Sequence, residues 1–403
     1  MNLLVLNSGS SSIKYQFFRW PSETPACSGL VERIGLDNAV VTHKLLAGEQ
    51  ETTTVLSVEL PDHEAGLREV ARLLADPQLG VLQDPAEVEA VGHRVVHGGE
   101  EFADTALIIP VVKEAIKRLF PLAPLHNPAN YRGIEVAEKT FPQAKQVAVF
   151  DTAFHQTMPE EAYRYAIPTE LYSEQGIRVY GFHGTSHKYV TELAAQYLDN
   201  PNARLVSVHL GNGCSIAAVR GDKSVDTSMG FGPLSGLVMG TRSGDIDPSV
   251  VFHLINQLGY TPDQVSTLLN KQSGMLALTG LSDMRDITAA IEAGDANAQL
   301  AYNLYAYRIK KYIGAYAAAL NGLDAIIFTA GVGENDALVR KLVCQNMDYL
   351  GVQLDEEKNA LRVKGIREIN SADSKVKVLV VPTNEELEIA RQCVELLSMN
   401  SES

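Results

Sequence analysis

The chain of 403 residues is too long for one typical core and suits two domains of roughly 150 to 200 residues each. With 45% hydrophobic and 21% charged residues, it has the composition of an ordinary soluble globular protein. A formal net charge of -15 argues against nucleic acid or an anionic membrane as its main partner, so any cations that meet anionic ligands must be concentrated locally.

Residues 3–18 are an apolar run broken by small hydroxyl residues and then resumed, which predicts strand, polar turn, strand. Gly9 permits backbone angles closed to other residues, and Ser8, Ser10, Ser11 and Ser12 bring hydroxyl and amide donors suited to a phosphate. Residues 29–34 and 39–45 alternate well enough to extend a sheet. Residues 63–74 predict an amphipathic helix with Leu67, Val70, Ala71 and Leu74 on its apolar face. Residues 88–99 begin as a buried strand and end in a glycine turn that carries Arg94, a charge better explained by a ligand than by packing.

Residues 111–120 predict a helix, which the prolines of residues 121–128 stop. A short apolar strand follows and ends at Asp151, where we place the domain boundary. Residues 178–187 gather aromatic, histidine and hydroxyl groups around two glycines. Residues 205–219 then repeat the opening design of apolar run, Gly and Asn, apolar run, which suggests a duplicated unit; two unrelated hairpins give the same pattern. Residues 226–248 hold too many glycines for a helix or a regular strand and predict a long functional loop. Residues 298–320 predict a core-facing helix, and residues 324–335 a buried strand running into a glycine turn. Residues 376–387 lead from a strand into a final helix, where Thr383 and Glu386 have capping-box spacing.

Cys27, Cys214, Cys344 and Cys393 are scattered without metal spacing, which predicts free thiols in a reducing compartment. No basic leader and no membrane-spanning run is present, so a cytoplasmic location is expected. The P-loop, the complete dinucleotide fingerprint and the zincin motif are all missing. What remains is a set of apolar strands ending in polar residues or glycines, an arrangement that predicts a phosphoryl-transfer cleft.

Taken in order, the motifs NSGSSSIK, GHRVVHGG, PLAPLHNP, VAVFDTAFH, YGFHGTSH, HLGNG, DTSMG, MGTRSGDIDP, SDMRD, FTAGVGEN and PTNEE closely resemble the acetate and propionate kinase family, nearly end to end. The resemblance implies an α/β fold of two duplicated ribonuclease-H-like lobes around a central nucleotide cleft. Residues 1–150 with 386–403 form the acyl and magnesium lobe, and 151–385 the nucleotide and dimerisation lobe. It implies reversible transfer of the γ-phosphoryl of ATP to acetate, with Mg²⁺ (or Mn²⁺) and ATP/ADP, by a homodimer that needs neither nucleic acid nor membrane. A propionate kinase of the same fold is the nearer alternative; a carboxylate-independent ATPase of the actin and heat-shock 70 type is the more distant one.

By the same resemblance, Arg94, Asp151, His183 and Arg242 are catalytic, and Arg94, Val96, Leu125, Phe182 and Pro233 hold the acyl substrate. The nucleotide positions are Lys14, His209, Leu210, Gly211, Asn212, Gly213, Asp283, Met284, Arg285, Gly331, Val332, Gly333, Glu334 and Asn335. Asn7 and Glu385 take the metal places. Arginine suits such work because it is a permanent, planar, bidentate cation. A kinase acting on a carboxylate has no substrate proton to remove, so Asp151 is read as orienting Arg94 or metal-bound water. Val96 stands where propionate kinases tend to carry alanine, and Ala330 where a glycine is common; the added methyl of Ala330 puts nucleotide affinity in question.

Overall fold

The computed structural model describes residues 1–47 and 50–399 and divides the chain into two compact units, Met1–Ala153 with Asn384–Ser403, and Phe154–Thr383. Each unit is built on its own sheet.

The first sheet runs β5-β4-β3-β2-β1-β6-β8-β7, from β1 (Asn2–Ser8), β2 (Ser12–Arg19), β3 (Cys27–Glu32), β4 (Ala39–Ala47), β5 (Gln50–Val58), β6 (Ala90–Val95), β7 (Ala106–Leu107) and β8 (Lys145–Phe150). β1, β2 and β3 are antiparallel neighbours, while β6 and β8 continue the sheet parallel to β1. The strands are apolar enough to be covered on both faces. Leu4, Leu6, Ile13, Tyr15 and Phe17 pack with Leu67, Val70 and Leu74 of the helix His63–Leu74, the face expected from its periodicity. Burying each such side chain contributes about 1.5 to 3 kcal/mol. Asp62 starts this helix by accepting from the Ala65 amide at 2.8 Å. On the opposite side the helix Glu385–Met399 lies so close to β6 that a Cβ at Gly92 would meet Cys393 Sγ at 2.7 Å.

The second sheet runs β11-β10-β9-β12-β14-β13, from β9 (Arg204–Leu210), β10 (Cys214–Arg220), β11 (Lys223–Thr227), β12 (Ala325–Thr329), β13 (Arg367–Glu368) and β14 (Lys377–Val380). Again the first three strands form an antiparallel meander, and the next two core strands lie parallel to the first. Both sheets therefore contain the order third, second, first, fourth, fifth strand. This is the duplicated ribonuclease-H-like topology, and it resolves the two similar hairpins in favour of duplication. The helix Ala296–Ala319 buries Tyr302, Tyr305, Ile309, Ile313 and Tyr316.

The helix expected over residues 111–120 is Pro110–Arg118 and ends ahead of the prolines; Pro128 sits in the first turn of the next helix, Asn127–Thr140, where its missing N–H is no loss. Three local expectations are corrected. The glycine turn after β12 is a short helix, Ala330–Asn335. The last helix is capped by Asn384, whose Oδ1 accepts from the Leu387 amide at 3.1 Å, because Glu386 is occupied by Lys14 at 2.6 Å. Gly9 does not enter the left-handed region; its small size lets Ser12 Oγ approach, 3.0 Å from where a Cβ would stand.

Candidate active site

In the first unit the parallel strands β1, β6 and β8 end side by side, and Asn7, Arg94 and Asp151 stand at or just beyond those ends. Ligands of α/β sheets gather at such strand ends. Asp151 is buried and receives Arg94 side-on, Nε at 3.0 Å and Nη2 at 2.5 Å, while Nη1 donates to Asn7 Oδ1 at 3.3 Å. Burial works against the Arg94 charge, but Asp151, with Glu385 and Glu386 behind it, outweighs burial and raises the guanidinium pKa above its ordinary value. Glu385 opens the C-terminal helix, and burial pushes its carboxyl pKa up, with Arg94 opposing and Asp151 adding to the rise. The cluster holds three carboxylates, Asp151, Glu385 and Glu386, against two cations, Arg94 and Lys14. One further positive charge would balance it.

Asn7 and Glu385 offer hard oxygen donors, and among the described residues no three His, Cys, Asp or Glu side chains converge into a metal cage. A divalent ion that keeps most of its waters fits such a sparse donor set. Val96, two residues beyond Arg94, is buried, whereas Leu125 is 63% exposed.

Sequence reasoning missed what holds this end of the first unit. Asn130 accepts from the Val96 amide at 3.1 Å and donates to Ser8 O at 2.8 Å, while Asn127 makes a reciprocal pair with the His97 backbone. Gly133 lets the same helix lie against Ser8, since a Cβ there would stand 2.8 Å from the serine Cβ. The signal was available in the Asn-Pro pair that opens the helix.

In the second unit the turn after β9, the loop before the helix Met284–Glu292 and the helix Ala330–Asn335 enclose a pocket of about 1040 Å³. It brings together Gly211, Asn212, Asp283, Met284, Arg285, Gly331, Val332 and Asn335 of the expected nucleotide residues. His209, Leu210 and Gly213 belong to the same β9–β10 hairpin, and Gly333 and Glu334 to the same short helix, outside the pocket lining. Lys14 is on β2 of the first unit. Arg285 lies across Asp283 at 2.5 Å and holds its carboxyl down at about 2.

Three arginines of the lining were not anticipated: Arg340, Arg362 and Arg367. Arg340 is buried, donates to Gly333 O and Asn359, and burial lowers its pKa to about 10. It occupies the apolar face of its helix with Val339 and Val343, a sequence signal that was legible. Arg362 lies in a short Leu361–Lys364 alternation and Arg367 on the two-residue strand Arg367–Glu368, segments too short to give a periodic signal.

Beside this pocket, His183 precedes the helix Gly184–Tyr197 in the left-handed region, at φ 57° and ψ 24°. For a residue with a side chain this conformation is strained and must be held by its surroundings. Its ring stacks on His209 at 4.3 Å. A Cβ at Gly213 would stand 3.5 Å from His183 Nε2 and 3.4 Å from Arg242 Nη2, so the glycine admits both groups to one turn. Arg242 Nη1 donates to Pro233 O at 2.7 Å, and burial lowers the arginine pKa. Phe182 is buried, and Pro233 is half-buried on the 228–247 loop.

Two units of ribonuclease-H-like topology with polar residues at matching strand ends suit a phosphoryl-transfer protein of the duplicated two-unit class. Residues 2–391 match the acetokinase family, and the chain belongs to it. It is 56% identical over 397 residues to the acetate kinase of Flavobacterium johnsoniae, covering 98% of this chain and 100% of that one. It is 52% identical over 402 residues to the acetate kinase of Thermotoga maritima, covering 98% and 99%. The crystal structure of Porphyromonas gingivalis acetate kinase superposes with a TM-score of 0.92 at 44% identity, over 98% of this chain and 99% of that one. A propionate kinase from Francisella tularensis superposes at 0.90 and 43%, over 97% and 98%.

Proposed function

We propose that this kinase transfers the γ-phosphoryl of ATP reversibly to acetate, forming acetyl phosphate and ADP by direct in-line transfer. The observation that carries the reading is the side-on pairing of Arg94 with Asp151. Asp151 occupies Nε and one edge of Nη2 and thereby aims the rest of a rigid fork, whose remaining N–H groups suit the two oxygens of a small carboxylate. Arg242 and His183, admitted together by Gly213, serve the transferring phosphoryl group. The second-unit pocket takes the nucleotide, with Met284 as a soft apolar surface for adenine and the glycine-bearing turns on the phosphate side.

Asn7 and Glu385 would hold Mg²⁺, with Mn²⁺ as substitute. Bound there, the ion supplies charge neutralisation for the phosphates. The buried bulk of Val96 favours acetate over propionate. Leu125, Phe182 and Pro233 complete the acyl site in this proposal. We infer a cytoplasmic homodimer formed through the second unit, on the strength of exposed apolar side chains there such as Phe252, Leu258 and Val250.

The test is ADP release with Mg-ATP and acetate, propionate or no carboxylate, with hydroxylamine trapping the acyl phosphate. Hydroxamate with acetate, less with propionate and none without either is the expected result. ATP hydrolysis indifferent to carboxylate overturns the proposal.

A further inference from the structure

At this end of the second sheet three buried histidines, His155, His187 and His209, and several hydroxyls gather beside the half-buried His183. Ser207 and His209 on β9 and Ser215 on β10 share one face of the sheet, because Ser215 pairs in register with His209. The first turns of the helix Gly184–Tyr197 cover that face with Ser186 and His187. The resulting contacts form a chain. Ser207 Oγ meets His187 Nδ1 at 2.8 Å, His187 Nε2 meets Ser215 Oγ at 2.7 Å, and Ser215 Oγ meets His183 Nδ1 at 2.9 Å.

Only one direction of donation satisfies every proton in this chain. His187 is fully buried, and desolvation, with His155 and His209 nearby, depresses its pKa well below the ordinary value, so its ring is neutral and carries one N–H. Among the described residues Ser207 Oγ has His187 Nδ1 as its side-chain partner, and a buried hydroxyl that donated nowhere would leave an unmade bond. Ser207 therefore donates to Nδ1, and His187 donates from Nε2 to Ser215. Ser215 Oγ has these two histidines as partners, so its single proton goes to His183 Nδ1. Reversed donation, or a His183 proton at Nδ1, leaves the proton of Ser207 or of Ser215 without an acceptor.

The consequence falls on the other side of the His183 ring. With Nδ1 accepting, the proton of the neutral ring is at Nε2, the atom that faces Gly213 and Arg242. A neutral donor next to a guanidinium avoids the repulsion that a second cation would bring. We propose that the Ser207–His187–Ser215 chain is a positioning device that fixes His183 as the neutral Nε2–H tautomer, presenting a hydrogen-bond donor to the transferring phosphoryl group. The inference rests on the phosphoryl-transfer reading of this site and adds Ser215, His187 and Ser207 as positioning residues.

Two measurements test it. Ring-¹⁵N-labelled histidine in the full-length protein, with His183 assigned from the loss of its signals in His183→Gln, should show a pyrrole-like Nε2 and a pyridine-like Nδ1. A pyrrole-like Nδ1, or an imidazolium at the pH of turnover, overturns the proposal. In kinetics, Ser215→Ala should lower kcat about 10- to 100-fold with the KM of ATP and of acetate little changed, and Ser215→Thr should recover most of that loss. An undiminished kcat in a folded Ser215→Ala protein overturns it as well, and the NMR result decides if that variant does not fold. A wild-type protein that gives no hydroxamate from acetate defeats the functional reading instead, whatever tautomer the spectrum shows.

Discussion

Asp151 grips Arg94 along the Nε–Nη2 edge, so this guanidinium is already aimed before any ligand arrives. That pairing makes a specific demand on Asp151. Asp151→Asn keeps the shape but replaces one acceptor with an NH₂ group that faces the guanidinium and leaves its charge uncompensated. The expected result is a fall of about 10²- to 10³-fold in kcat/KM for acetate, the scale of losing one preorganised electrostatic partner. A hydroxamate assay reads it, and an unchanged kcat/KM would remove Asp151 from the mechanism.

Val96 makes a second demand. Its side chain is buried, and its backbone is tied to Asn130, so truncation should open space without moving the loop. Val96→Ala should shift the propionate-to-acetate ratio of kcat/KM upward by about 10-fold, since one methylene in an apolar pocket is worth about 1 to 3 kcal/mol. Competition between the two acids in one reaction measures the ratio directly. No shift would place the acyl group elsewhere.

Much of this was legible because it depends on short-range pattern. The helix His63–Leu74 shows its apolar stripe openly, and each core strand is an apolar run that ends in a chemically distinctive residue such as Asn7, Arg94 or Asp151. What escaped depends on tertiary partners. The helix Ala330–Asn335 contains two glycines and would not form alone, yet Arg340 and Arg367 bind the carbonyls of Gly333 and Glu334. β5 escaped for a different reason: its middle is a Thr52-Thr53-Thr54 run without apolar alternation, and it is recruited by pairing with β4. The Ser207–His187–Ser215 chain joins residues from two strands and a helix, which no local periodicity reveals.

Asp226 gives the protein a pH-dependent stability. Burial pushes its carboxyl up to about 6, although the Thr227 amide donates to it at 2.7 Å. A carboxyl whose folded pKa is raised binds its proton more tightly in the fold than out of it. Its contribution is therefore complete below the ordinary carboxylate pKa near 4 and is lost as pH rises through about 6. Asp226→Asn keeps an acceptor for Thr227 but carries no charge. It should match the wild type in acid and exceed it at mildly alkaline pH by on the order of 2 kcal/mol. Urea midpoints at the two pH values measure this, and an equal difference at both would show that Asp226 does not titrate in that range.

Ala330 stands at φ 64°, immediately before the pocket-lining Gly331 and Val332. The left-handed region brings an L-residue's Cβ against the following carbonyl at about 1 to 2 kcal/mol, and glycine avoids that clash while losing more chain entropy on folding. The net gain expected for Ala330→Gly is about 0.5 to 1 kcal/mol, visible as a higher urea midpoint with an unchanged slope. Nucleotide affinity is a separate matter. The Ala330 methyl is buried and does not line the pocket, so relieving the strain should leave the KM of ATP nearly unchanged. A KM that falls severalfold without a stability gain would mean that the methyl acts on the nucleotide rather than on its own backbone, and the turn would then be a determinant of affinity.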